Sequence, residues 1–103
     1  MPLPEITHLQ FLILALLLDG ELSGRKLREG LAEAGHRKSA PAFYQFMARL
    51  EDAELVEGRY DQKVIDGQII KERFYTLTGA GERAWADVRD FYMAHGRLGL
   101  RGA

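Results

Sequence analysis

Residues 39–78 read SAPAFYQFMARLEDAELVEGRYDQKVIDGQIIKERFYTLT, and the hydrophobic period changes within that run. In its first part Phe43, Phe46, Met47 and Leu50 follow the i, i+3, i+4, i+7 spacing of a helix face. Ser39 stands where an N-cap is needed, and Pro41 falls in the first turn, where its missing N–H costs nothing. Tyr44, Gln45, Ala48 and Arg49 lie outside the apolar stripe. From about Leu55 the pattern becomes extended, with one segment to about Lys63 and another from about Gln68 to Leu77 around Ile65-Asp66-Gly67. Asp-Gly between two such segments predicts a hairpin, because a type I′ turn requires positive φ at both central residues.

Upstream, Thr7 with Gln10 three residues on forms a capping box for a first helix. That helix runs through Phe11, Leu12, Ile13, Leu14, Ala15, Leu16, Leu17 and Leu18 to Asp19-Gly20. Being apolar all round, it is predicted to be the central helix of the core, enclosed on several sides. A second helix is capped by Ser23 and ends at Gly35, with Leu27, Leu31 and Ala34 on its inner face and Arg25, Lys26, Arg28, Glu29 and Glu33 elsewhere. Downstream, Thr78 caps a last helix that reaches about His95 and stops at Gly96. Three helices, two strands and a helix make a mainly α fold with a small β-hairpin: a winged helix-turn-helix with a C-terminal dimerisation helix. The expected division is residues 1–78 for the winged helix-turn-helix, 79–96 for the dimerisation helix and 97–103 for a flexible tail.

The chain has 103 residues, 47% hydrophobic and 28% charged, the composition of one globular domain. It contains no Cys, which excludes a disulfide scaffold, a zinc ribbon and a thiol nucleophile. The longest apolar run, Phe11 to Leu18, is far shorter than the roughly 20 residues of a membrane span. His8, His36 and His95 stand on separate segments without metal-ligand spacing, and Ser23 and Ser39 are better used as caps than as nucleophiles. Gly79-Ala80-Gly81 lacks the remaining Gly and the Lys of a nucleotide-binding loop. Neither an enzyme nor a cofactor protein is expected, and no membrane partner.

A net charge of −1 argues against nucleic acid only as a single number. Residues 1–24 carry Glu5, Asp19 and Glu21 and nothing basic. Residues 25–49 carry Arg25, Lys26, Arg28, Arg37, Lys38 and Arg49 against Glu29 and Glu33, a net of +4. The excess falls on the two helices of the helix-turn-helix and the turn between them, although a solvated helix face would show the same pattern. In this architecture the second of those helices reads double-stranded DNA in the major groove. Gln45 and Arg49 suit bases there, Ala42 suits a thymine methyl, and Arg37, Lys38 and Tyr44 suit phosphates. Ser39 sits at the same helix start, where capping accounts for it equally well. In the wing, Lys71 and Arg73 read as phosphate contacts and Lys63 as part of a self-neutralised hairpin.

The last helix carries Trp85, Val88, Phe91, Tyr92 and His95, rich in aromatics for a terminal element. With Leu12 and Leu16 of the first helix they are candidates for a homodimer interface, or for a pocket taking a small aromatic effector. The same stripe can also cover the chain's own core.

The series Leu14-Ala15-Leu16-Leu17, Leu22-Ser23-Gly24, Phe43-Tyr44, Arg49-Leu50-Glu51, Leu55-Val56-Glu57 and Phe74-Tyr75-Thr76-Leu77-Thr78 with Gly81 resembles the PadR-like transcriptional regulators over about residues 9–90. The resemblance implies a cytoplasmic winged-helix repressor, dimeric through its C-terminal helix and relieved by a small aromatic or drug-like ligand. It looks like the compact subfamily with one C-terminal helix. Where the family has Gly-Thr-Leu-Tyr-Pro, this chain has Pro41-Ala42-Phe43-Tyr44-Gln45. Ala48 replaces a common basic residue, Glu54 a usual Gly, and Lys71-Glu72-Arg73 the usual basic cluster of the wing. These changes thin the positive surface. Tyr44, Arg49 and Arg73 survive as the DNA contacts the resemblance implies. The alternative is a winged-helix protein-interaction module that no longer reads DNA.

Overall fold

The computed structural model describes residues 3–96, so the expected tail at 97–103 lies outside the described residues. Its elements are four helices, α1 (His8–Leu16), α2 (Gly24–Glu33), α3 (Ala40–Asp52) and α4 (Gly79–His95), and a sheet of β1 (Leu22–Ser23), β2 (Val56–Ile65) and β3 (Gln68–Leu77). The caps fall where local chemistry places them. Thr7 and Gln10 form a reciprocal capping box, and the side chains of Ser23, Ser39 and Thr78 accept from Lys26, Ala42 and Gly81 backbone N–H groups. The fold class is the one the sequence implies, a winged helix with a C-terminal helix.

Three details differ. β1 is a two-residue strand in place of a plain loop, pairing Leu22 with Tyr75 and Ser23 with Phe74. Two residues are too few to show an alternation, so no sequence pattern announces it. The first helix ends at Leu16 and closes with a 3-10 turn, Leu17–Asp19. It is enclosed on several sides: Ile13, Leu14 and Leu17 are buried, Phe11, Leu12, Ala15 and Leu16 are half-buried, and Leu18 is exposed. Its packing partners are α2 and α4. On α2, Leu27 and Leu31 are buried but Ala34 is an exposed C-cap.

The wing is the antiparallel β2–β3 ladder, from Val56 opposite Leu77 to Ile65 opposite Gln68. Asp66 and Gly67 alone make the turn, at φ 52 and φ 77, the positive values that Asp-Gly supplies. One core unites all the layers. Ile13, Leu14, Leu17, Leu27, Leu31, Phe43, Met47, Leu50, Val56, Tyr75 and Ala84 form a continuous cluster, against which Trp85 packs. Fully burying side chains of this size contributes about 1.5–3 kcal/mol each, so this cluster is the main hold between α3 and the wing.

Candidate nucleic-acid interface

The inner face of α3 is anchored by Phe43, Met47 and Leu50, each with no solvent exposure. Phe46 is half-buried, with Lys38 Nζ 5.2 Å from its ring centre. This anchoring leaves Pro41, Ala42, Gln45, Ala48 and Arg49 exposed on the outer face. Among the described residues Gln45 and Arg49 enter no side-chain hydrogen bond, and Arg49 has no carboxylate within ion-pair distance. Tyr44 stands between the two faces. Its ring meets Phe43 edge-on at 5.2 Å, and its hydroxyl lies over Gly24, where a Cβ would sit 2.9 Å away. The Gly24 of the sequence motif is therefore the floor on which Tyr44 rests.

In the α2–α3 turn Arg37 is exposed and Lys38 half-buried, and the Lys38 carbonyl accepts from Arg28 Nη2 at 3.1 Å. Ser39 spends its hydroxyl on the Ala42 N–H at 3.3 Å, which accounts for it as a cap.

The wing is less open than its basic residues suggest. Arg73 donates from Nη2 to Glu51 Oε1 of α3 at 2.5 Å, with only 21% and 25% of the two side chains exposed. Its guanidinium lies 4.6 Å from the Tyr60 ring centre and 5.6 Å from that of Tyr75. Arg73, expected as a phosphate contact, is thus paired with Glu51 within the chain. Gly58 makes the room, since a Cβ there would collide with both partners. Burial acts to lower the Arg73 pKa, but the hydrogen bond and charge of Glu51 prevail and raise it. Burial likewise pushes the Tyr75 phenol up to about 12, against a smaller downward pull from Arg73. Arg59 makes two hydrogen bonds to Glu21, at 2.6 and 2.8 Å, holding that carboxyl below its ordinary range. Lys63 sits 4.0 Å from Glu72, while Lys71 is exposed and only leans over Tyr60 at 5.4 Å. Alternation carried the missing signal: Arg73 lies two residues from buried Tyr75 and shares its face of the strand.

The residues expected at a dimer interface or effector pocket divide into three groups. Val88 is buried within its own chain, and Leu16 is half-buried under α2, with its side chain against Gly30. Leu12 and Trp85 are half-buried on the core. Trp85 stacks on Phe11 at 6.3 Å, under the Arg89 guanidinium at 4.7 Å. Phe91, Tyr92 and His95 are exposed beside Met93 at the far end of α4. Among the described residues no group of three His, Cys, Asp or Glu side chains is placed to hold a metal, and no helix is long and apolar enough to cross a membrane.

No protein-family model matches the chain, and no curated protein does. Solved structures do. A PadR family transcription regulator from hypervirulent Clostridium difficile R20291 superposes with a TM-score of 0.77 at 16% identity, over 92% of this chain and 97% of that one. A PadR family transcriptional regulator from Eggerthella lenta DSM 2243 gives 0.69 at 25% identity, over 89% and 79%. Bacillus subtilis PadR, in complex with operator DNA, gives 0.65 at 28% identity, over 79% of this chain and 46% of that one.

Proposed function

We propose that this chain, a PadR-like winged-helix protein, is a DNA-binding transcriptional regulator that reads an operator with α3. The observation that carries the reading is the outer face of α3, where Gln45 and Arg49 stand exposed beside Ala42 with no side-chain partner among the described residues. The likeness to an operator-bound PadR supports it. In this reading Gln45 and Arg49 contact bases, and Arg37, Lys38, Tyr44 and Lys71 contact phosphates. Arg73 serves by holding the wing against α3 rather than by touching DNA. The regulator acts in the cytoplasm as a homodimer, with the Phe91, Tyr92 and Met93 end of α4 meeting a second copy, since paired reading helices bind two half-sites. Repression relieved by a planar ligand near Trp85 completes the proposal.

The test is binding of the purified protein to the DNA upstream of its own gene, followed by fluorescence anisotropy across salt concentrations. A shift that Arg49→Glu abolishes, from a protein that sizes as a dimer, supports the reading. Equal affinity of the variant at every salt concentration overturns it.

One observation favours the protein-interaction reading instead. The wing tip exposes Val64 (74%), Ile65 (50%), Ile69 (71%) and Ile70 (39%), an apolar end on a wing whose arginines are already paired. Absence of any DNA shift at low salt, with a stable dimer, selects that alternative.

A further inference from the structure

Between α2 and the α2–α3 turn lies a cleft of about 300 Å³ lined by Arg25, Arg28, Glu29, Ala32, Arg37 and Lys38. Four of its six side chains are cationic and one is a carboxylate. Glu29 is already shared by Arg25 at 3.4 Å and by Lys26 at 3.7 Å, and Arg25 also approaches Glu72 at 3.9 Å. Among the described residues Arg28, Arg37 and Lys38 have no carboxylate within 4 Å. Three positive charges therefore share one concave surface without a counterion of their own.

The cleft is also organised in advance. The Arg28 Nη2 bond to the Lys38 carbonyl ties the guanidinium to the turn, so the fork does not have to be ordered when a ligand arrives. Arg28 Nε, shielded from solvent, has no hydrogen-bond acceptor among the described residues.

We propose that this cleft is a binding site for a phosphoryl group. A carboxylate offers two oxygens and one charge. A terminal phosphoryl group offers three oxygens and close to two charges, and successive DNA phosphodiesters offer two free oxygens and one charge at each step; either supplies more than one negative charge to a surface with three uncompensated cations and a guanidinium fork. The group arrives either on a DNA strand, as part of the reading above, or on a small phosphorylated molecule, independently of that reading. The turn that supplies Arg37 and Lys38 leads directly into α3, so occupancy of the cleft bears on the element proposed to read DNA.

Arginine Nε–Hε resonances of ¹⁵N-labelled protein provide the test, titrated with inorganic phosphate or pyrophosphate against chloride at equal ionic strength, and then with a promoter duplex. The Arg28 signal is expected to move saturably while that of Arg49 stays still in the small-anion titration. Arg37→Gln, at an exposed position, is expected to weaken pyrophosphate binding by about three- to tenfold. Arg28→Lys, which keeps the charge and loses the fork, is expected to weaken it as well. Pyrophosphate binding that the duplex displaces assigns the site to the DNA backbone. Pyrophosphate binding that the duplex leaves untouched assigns it to a free phosphorylated ligand, even if DNA binding itself fails. An Arg28 signal that responds to neither anion beyond chloride, nor to the duplex, overturns the proposal.

Discussion

The outer face of α3 and the inner face of the wing each present an arginine, and the fold gives the two opposite environments. Arg49 projects from α3 with no carboxylate beside it among the described residues, while Arg73 is held between two tyrosine rings and bonded to Glu51. The two side chains are chemically identical. What separates them is the platform behind: Arg49 stands on the far side of α3 from Phe43 and Met47, whereas Arg73 shares a strand face with buried Tyr75. A free charge at the surface is available to a partner at little cost, and a charge taken out of water has to find its partner within the fold.

Removing the platform should erase the difference between the regions. Phe43→Ala takes out a fully buried ring that touches both Tyr44 and Tyr75. It is expected to cost about 3–5 kcal/mol, a large part of the roughly 5–15 kcal/mol of a whole domain, read as a drop in the urea midpoint. Arg49→Glu should leave that midpoint in place and weaken DNA binding by about ten- to a hundredfold, with a shallower salt dependence. Glu51→Gln should do the reverse. It strands a half-buried guanidinium and lowers stability by about 1–3 kcal/mol, with Arg49 still exposed. If Glu51→Gln spares stability while Arg49→Glu lowers it, the two arginines have been assigned the wrong way round.

A smaller effect, confined to alkaline solution, comes from Tyr75. Its phenol titrates at about 12 in the folded chain against about 10 when unfolded, so the folded state keeps its proton longer. The stability this contributes is fully present below about pH 10 and is lost as pH rises through about 12, at no more than about 1.4 kcal/mol per pH unit. Urea midpoints between pH 9 and pH 11.5 should fall faster for the native chain than for Tyr75→Phe. Parallel curves would mean that the tyrosine hydroxyl is not held in the closed environment described for it.

Most of the fold was legible because its signals are local. Each helix N-cap acts on a backbone N–H three residues on, and the Asp66-Gly67 turn is decided by two residues and their φ values. The apolar period of α3 likewise depends only on positions within a few turns. β1 was not legible, since Leu22 and Ser23 become a strand only because Tyr75 and Phe74 lie beside them. Among the site residues, Gln45, Arg49 and Tyr44 were identifiable as lying outside the stripe of α3. The cleft at Arg28 was not, because a guanidinium on a charged helix looks solvated until the turn folds back over it.

By itself the sequence determined the order of the elements, their caps, the wing turn and the concentration of positive charge between residues 25 and 49. Tertiary structure decided which of the chain's charges remain free. Arg73 finds Glu51 across 22 residues of chain and Arg59 finds Glu21 across 38, while Arg28 turns to a backbone carbonyl. The reason is one of range: caps, turns and periodicity act within a few residues, and an ion pair depends only on distance in space, which exists once the core has closed.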